Sequence, residues 1–271
     1  MDHRAACARL VEEGDPERFA AARLAGESAW KLHALYAFNL EVARIPGVVS
    51  EQLLGEIRLQ WWRDVIEEIY AGKEPRAHEV VAPLSGVIRE AGLPRAPFDA
   101  LLDARAQDVT GLKLSGGEAL DGYLAATSGG LMQLAALALG GDQATGDVAR
   151  EVGTATGLGR MILALPALAD RGAQPVEGMD AAALVRGQMP AALAEGLRGQ
   201  AQAALARLAA ARARRPEVVP EALPALLADW WAEPALKAAA RPGFDLFGDA
   251  ALESEFRKRG RLAWRAVTGR Y

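Results

Sequence analysis

Apolar residues recur along this chain every three or four positions, and nowhere do β-branched residues alternate with polar ones over a strand-length run. Leu32, Leu35, Tyr36, Leu40 and Ala43 keep helical spacing after a start near Ser28, and Pro46-Gly47 predicts the end of that helix. Ser50 is the expected cap of a long helix whose apolar stripe reads Leu53, Leu54, Ile57, Trp61, Val65 and Ile69. Asp15-Pro16-Glu17 has the form of a helix start, with a capping acid, a proline in the first turn and a carboxylate at the positive dipole end. Further helical patterns cover 80–91, 97–109, 118–139, 147–168 and 180–215, followed by 223–239 and 250–268. Gly140-Gly141, Arg171-Gly172 and Pro242-Gly243 read as connections. With no composition shift and no fixed repeat, the pattern predicts an all-α fold forming one domain over 1–271.

Composition narrows the function classes. A chain of 271 residues buries roughly three quarters of its extended surface in one core. Hydrophobic residues at 51 % and charged residues at 24 % are a globular balance. A net charge of −4 gives no electrostatic ground for a nucleic-acid partner, which needs a clustered basic face. The lone Cys7 cannot form an internal disulfide, so a reducing compartment is expected. Residues 1–15 carry acids and no apolar core segment, so no secretory leader is expected, and the cytoplasm is the expected location. The most apolar runs, 131–139 and 161–168, are shorter than the roughly 20 residues that cross a bilayer, and predict core helices.

Phosphate-binding loops, zinc-ligand spacings and nucleophile elbows are missing from the sequence. His3, His33 and His78 are too scattered for a metal site, and His33 fits a packing role beside an apolar helix. Gly153, Gly157 and Gly159 fit close helix packing. Asp99 and Asp103, four apart on one helix face with Asp108 a turn beyond, can be read either as a solvated face or as a magnesium clamp. Asp64, Glu67 and Glu68 allow the same two readings. Glu41 neighbours Ala37, Phe38 and Ile45 and needs a partner if it turns inward, while Asn39 is either a polar tie between helices or part of a pocket.

Ala34-Leu35-Tyr36-Ala37-Phe38, followed by a polar helix end, resembles the first motif of squalene and phytoene synthases. Trp62-Arg63 with Tyr70 and Gly72 is similar to the family's next helix. Leu101-Leu102-Asp103 with Asp108, then Tyr123 and Ser128-Gly129-Gly130-Leu131-Met132, resemble its middle helices, and Gly157 opens a stretch like its second metal motif. The match runs from about Phe19 to Gly172. This resemblance implies an isoprenoid-synthase-like helical bundle with a central cavity.

Where the resembled family carries its first aspartates, this chain has Ala43, Arg44 and Gly47; in the second motif the family's glutamine falls on Met161 and its Arg-Asp pair on Ala167 and Leu168. A prenyl diphosphate ionises only when magnesium ions held by facing carboxylates stabilise the leaving group. Neither cluster is present, and Arg44 adds a repelling cation, so no metal, no cofactor and no catalytic residue is expected. The competing expectation is a magnesium-dependent transferase using Asp99, Asp103, Asp108 and Glu41 as replacement ligands.

A second likeness lies within the same superfamily. Ala37-Phe38-Asn39-Leu40-Glu41-Val42-Ala43, Val49-Ser50-Glu51 and Ile57-Arg58-Leu59-Gln60-Trp61-Trp62 resemble the mitochondrial complex I assembly factor branch, which also lacks the aspartate motifs. It implies a role beside respiratory-complex subunits, with Tyr36, Phe38, Asn39, Glu41, Arg58, Trp62 and Tyr123 shaping the old prenyl pocket for a lipid, isoprenoid or quinone-like ligand. The chain departs from that branch in Leu163-Ala164-Leu165-Pro166, where an arginine is expected.

The last 16 residues hold Arg257, Lys258, Arg259, Arg261, Arg265 and Arg270 with no acid, beside Leu262 and Trp264. Two readings fit: a solvated helix end complementing its dipole, or peripheral contact with the inner membrane face through Arg257, Lys258, Arg261, Trp264 and Arg265.

Overall fold

The computed structural model describes residues 2–49, 51–248 and 255–271, with the side chains of 255–257 left aside. Ser50, the expected cap, lies outside the described residues, as does the expected helix start at 250. All regular structure among the described residues is helical apart from one isolated bridge between Lys113 and Gln174.

The first helix, α1 (His3–Gly14), was not anticipated; Asp2 caps it by accepting from the Arg4 and Ala5 amides. Asp15 caps α2 (Pro16–Ala22) through the Arg18 amide, as its sequence predicts. A 3-10 segment, Arg23–Ser28, breaks at Gly26 (φ 56°) and leads into α3 (Ala29–Val48). Contrary to expectation, α3 passes through Pro46 and Gly47 to Val48. Next come α4 (Gln52–Tyr70), α5 (Val81–Ala91) and α6 (Ala96–Val109). A π turn, Ala125–Gly129, joins α7 (Gly116–Leu124) to α8 (Gly130–Ala138), and α9 (Gln143–Asp170) follows.

The helix expected over 180–215 is two, α10 (Ala181–Val185) and α11 (Ala191–Ala213). Gly187 at φ 75° and Pro190 interrupt it, since one takes a left-handed conformation and the other lacks an amide donor. Likewise 223–239 divides into α12 (Leu223–Leu226) and α13 (Glu233–Ala239), separated by turns around Asp229. The chain closes with α14 (Glu255–Thr268).

A second correction concerns α4. Leu53, Leu54 and Ile57 are 62, 45 and 55 % exposed, and the buried face is Gly55, Leu59, Trp62, Val65, Ile66 and Ile69. The helix is rotated by roughly a quarter turn from the expected stripe. Gly55 accounts for the rotation: a Cβ there would stand 2.6 Å from a Val109 methyl, so only this face lets α4 approach α6 closely.

Helix α9 runs through the bundle and links two apolar clusters. Val148, Ala149, Val152 and Ala155 pack with α1, α3–α6 and α8 residues. Leu158, Met161, Ile162 and Leu165 pack with Leu120, Leu193, Leu197 and Leu236. By length and hydropathy α9 could cross a membrane, but 67 % of its most apolar window is buried within the bundle. Gly153, Gly157 and Gly159 have the expected packing role, their missing Cβ atoms admitting Ser128 and the Ala232 carbonyl.

Candidate functional site

Charges meet at the middle of α9, where the two apolar clusters join. Arg160 donates through Nη1 to Asp229 Oδ1 at 2.8 Å and through Nη2 to Asp15 Oδ2 at 2.9 Å. Arg18 approaches the same acids, 3.2 Å from Asp229 and 3.6 Å from Asp15. Asp229 is fully buried, Asp15 and Arg18 nearly so, while a quarter of the Arg160 side chain reaches solvent. Burial opposes charge on Asp229, yet Arg18 and Arg160 outweigh it and hold the carboxyl below its ordinary value. For Arg160 burial also opposes charge, and Asp229 and Asp15 raise it above the usual guanidinium range. The four groups form a neutral, mutually paired tetrad.

Tyr36 of α3 lies under this tetrad, its ring centroid 5.4 Å from the Arg18 guanidinium carbon, and its hydroxyl has no protein partner. Burial is the main cause of its raised pKa. The Trp231 ring centroid lies 5.4 Å from the Arg160 guanidinium carbon. A second knot is close enough for its arginine to act on Arg160: Tyr123 donates to Asp108 Oδ1 at 2.8 Å, and Arg105 reaches Asp108 at 2.9 Å and the Tyr123 oxygen at 2.8 Å.

The residues expected to line a pocket divide. Phe38 meets Trp62 and Phe98 edge to face at 5.2 and 5.7 Å, and neither Phe38 nor Tyr36 is more than 1 % exposed. A ring this closely surrounded lines no water-sized space, so the interior expected to be a cavity is packed at these two residues. Asn39 is buried. Glu41 is half-buried and close enough to Cys7 of α1 for its charge to act there; burial, then Glu79, then Glu41 push that thiol up to about 12. Arg58 is exposed on α4 and lines no interior space. His33 stacks on Phe19 at 5.2 Å, the packing role expected of it.

The three aspartates proposed as replacement ligands do not converge. Asp99 pairs with Arg95 at 3.0 Å, Asp103 with Arg63 at 2.8 Å and Asp108 with Arg105. The first two pairs stand at the surface. Glu68 likewise pairs with Arg76 at 2.7 Å. Among the described residues no three acids, histidines or cysteines come together as a metal site would require. With Ala43, Arg44, Gly47, Met161, Ala167 and Leu168 at the motif positions, the residues present do not fit a magnesium–diphosphate clamp.

Near the C-terminus, Glu233 is clamped by Arg212 at 2.7 Å, by Lys237 at 2.9 Å and by Arg265. Burial opposes its charge, but the Arg212 and Lys237 hydrogen bonds and the arginine charges hold it well below the carboxylate range. Of the residues expected to touch a membrane, Arg265 is thus committed inward, Lys258 stands 3.9 Å from Glu17, and Arg261 lies beside Glu233. Only Trp264 points outward, at 63 % exposure, and the Arg257 side chain lies outside the described residues.

Sequence reasoning missed Arg18, Arg160, Asp229 and Glu233. The available signal was a lone charge inside an apolar run, Arg160 in Gly157-Leu158-Gly159-Arg160-Met161-Ile162 and Asp229 between Ala228 and Trp230. Such charges require buried partners.

Two grooves flank these clusters. One of about 370 Å³ between α7, α9 and α11 is lined by Leu120, Leu124, Leu158 and Ala203, by Gln200, and by the paired Asp121 and Arg207. Another of about 500 Å³ lies among Leu24, Leu139, Leu223 and Val267.

Comparison with known proteins accords with this architecture. The family model for squalene/phytoene synthase matches residues 11–268. Relatives include NADH dehydrogenase (ubiquinone) complex I, assembly factor 6 of mouse and of human, each 28 % identical over 163 residues, and the bovine protein at 29 %. These alignments cover 59 % of this chain and 48 % of each relative, so the chain spans about half the length of the curated relatives it matches. Among solved structures, squalene synthase HpnC from Alicyclobacillus acidocaldarius superposes with a TM-score of 0.73 over 89 % of this chain and 95 % of its own. A dehydrosqualene synthase in complex with ligand superposes at 0.81 over 99 % and 97 %. Both are 17 % identical and share the fold. With its helical order, its α9 axis and a family match running almost end to end, the chain belongs to the squalene/phytoene synthase family.

Proposed function

We propose that this protein is a non-catalytic member of its family that assists assembly of a respiratory complex rather than coupling prenyl diphosphates. The observation that carries the reading is the tetrad: every acid deep in the bundle centre already sits against an arginine, so none is spare for a divalent cation. A cation at Asp229 would have to displace Arg160 and Arg18 and leave the two guanidiniums to share Asp15 alone. The likeness to complex I assembly factor 6 supports the assembly role. A lipid or isoprenoid ligand fits the same reading. The α7–α9–α11 groove is lined largely by apolar side chains, which suits an isoprenoid chain.

Purified protein incubated with magnesium and farnesyl diphosphate is expected to release no pyrophosphate. Pyrophosphate with a squalene-type hydrocarbon would establish the transferase alternative. Deletion in the native host is expected to lower assembled NADH:quinone oxidoreductase, and the wild-type gene to restore it. An unchanged level of that complex would overturn the assembly role.

A further inference from the structure

Helix α14 has two faces. Leu262 and Arg265 turn inward, the arginine to Glu233. Gly260, Ala263, Trp264 and Val267 turn outward at spacings of three and four, with Trp264 63 % and Val267 86 % exposed. Arg259 and Arg270, both exposed, stand at the two ends of this outward stripe, and exposed Arg215 lies in the same groove as Trp264 and Arg270. Val267 continues into the apolar groove with Leu24, itself 44 % exposed. Of the acids near this helix, Glu233 is buried under Arg212 and Arg265, Glu217 pairs with Arg214, Glu17 stands 3.9 Å from Lys258, and Glu221 lines the apolar groove.

Among the described residues, the large outward side chains of α14 and the turn after it are thus apolar in the middle and cationic at the ends. A protein with a net charge of −4 has gathered six of its 31 cations and one of its 35 acids into the last 17 residues. Trp264 and Val267 stand open between arginines, and tryptophan prefers the boundary between headgroups and acyl chains. Arginines flanking it complement anionic headgroups.

We propose that the α14 face docks on an anionic lipid bilayer, with Trp264 and Val267 inserted at headgroup depth and Arg259 and Arg270 against the lipid phosphates. This differs from the contact set read from sequence, in which Arg261 and Arg265 faced the lipid; the fold turns those two inward. It rests on α14 alone, not on the assembly role.

The test is co-sedimentation of the full chain with vesicles of phosphatidylcholine alone and of phosphatidylcholine mixed with phosphatidylglycerol. The expected result is binding to the mixed vesicles, weakened by salt, and little to the neutral ones. Arg259→Ala and Arg270→Ala should each weaken binding about fivefold. Trp264→Ser with Val267→Ser should abolish it with an unchanged thermal unfolding midpoint, since both side chains are open. Bromolipid quenching of tryptophan fluorescence should disappear in Trp264→Phe. Binding that survives the double serine variant, or fails to distinguish the two vesicle types, would overturn the proposal. So would a concentration-dependent dimer dissolved by the same variant, which would make the stripe a contact between two copies of the chain.

Discussion

Arg160 joins Asp15 to Asp229 across 145 and 69 residues of sequence, at 2.9 and 2.8 Å. One side chain on the central helix therefore fastens the first turns of the molecule to the turns before α13. Asp229→Asn keeps the shape and removes the charge, leaving Arg18 and Arg160 facing Asp15 alone. The loss is expected to be about 3–5 kcal/mol, as for other broken buried pairs, read by urea denaturation. A loss below about 1 kcal/mol would mean that the tetrad is solvated in solution.

The candidate acids on α6 should behave unequally. Asp99→Ala and Asp103→Ala remove surface pairs and should change stability by no more than about 0.5 kcal/mol. Asp108→Ala removes the charge partner of Arg105 and the acceptor of the Tyr123 proton and should cost about 1–3 kcal/mol. Equal effects in thermal unfolding would contradict the separation between a solvated pair and an interior knot.

Acid should act in two stages. His33 is lowered by burial, so its neutral form favours the folded chain. That contribution is full above the unfolded value near about 6.5 and is lost as pH falls from there through the lower folded value. Asp229 and Glu233 are depressed despite burial, by the arginines around them, so their contributions persist to about pH 4 and are lost as pH falls through their folded values. His33→Phe should flatten the upper stage and leave the lower one, in unfolding free energies measured across a pH series.

Gly159 fixes how closely α9 meets the turn before α13. A Cβ would stand 2.4 Å from the Ala232 carbonyl oxygen, a backbone atom that cannot rotate aside. Gly159→Ala is expected to cost about 1–3 kcal/mol, whereas Gly196→Ala, on an open stretch of α11, should be neutral or stabilising. Thermal unfolding of the pair decides it.

Cys7 should be inert while the protein is folded. Its thiol is fully buried and pushed up to about 12, so a thiol-specific disulfide reagent at neutral pH should react only after denaturant is added. Prompt reaction of the native protein would show that α1 opens readily.

The helical class, most helix positions and the loss of the aspartate motifs were determined by the sequence itself. They depend on local spacing, on caps such as Asp15 and on residue identity at single positions, all of which a linear chain displays. Tertiary structure alone decided which face of α4 is buried, because Leu53, Leu54 and Ile57 satisfy a helical period as well as Leu59, Trp62 and Ile66 do. Contact with Val109 at Gly55 broke that tie. It also decided that Arg18, Arg160 and Asp229 meet, and that Arg265 turns inward while Trp264 turns out. Charge pairing across tens or hundreds of residues has no period to reveal it; packing brings those groups together, and the cost of burying an unpaired charge then fixes their partners.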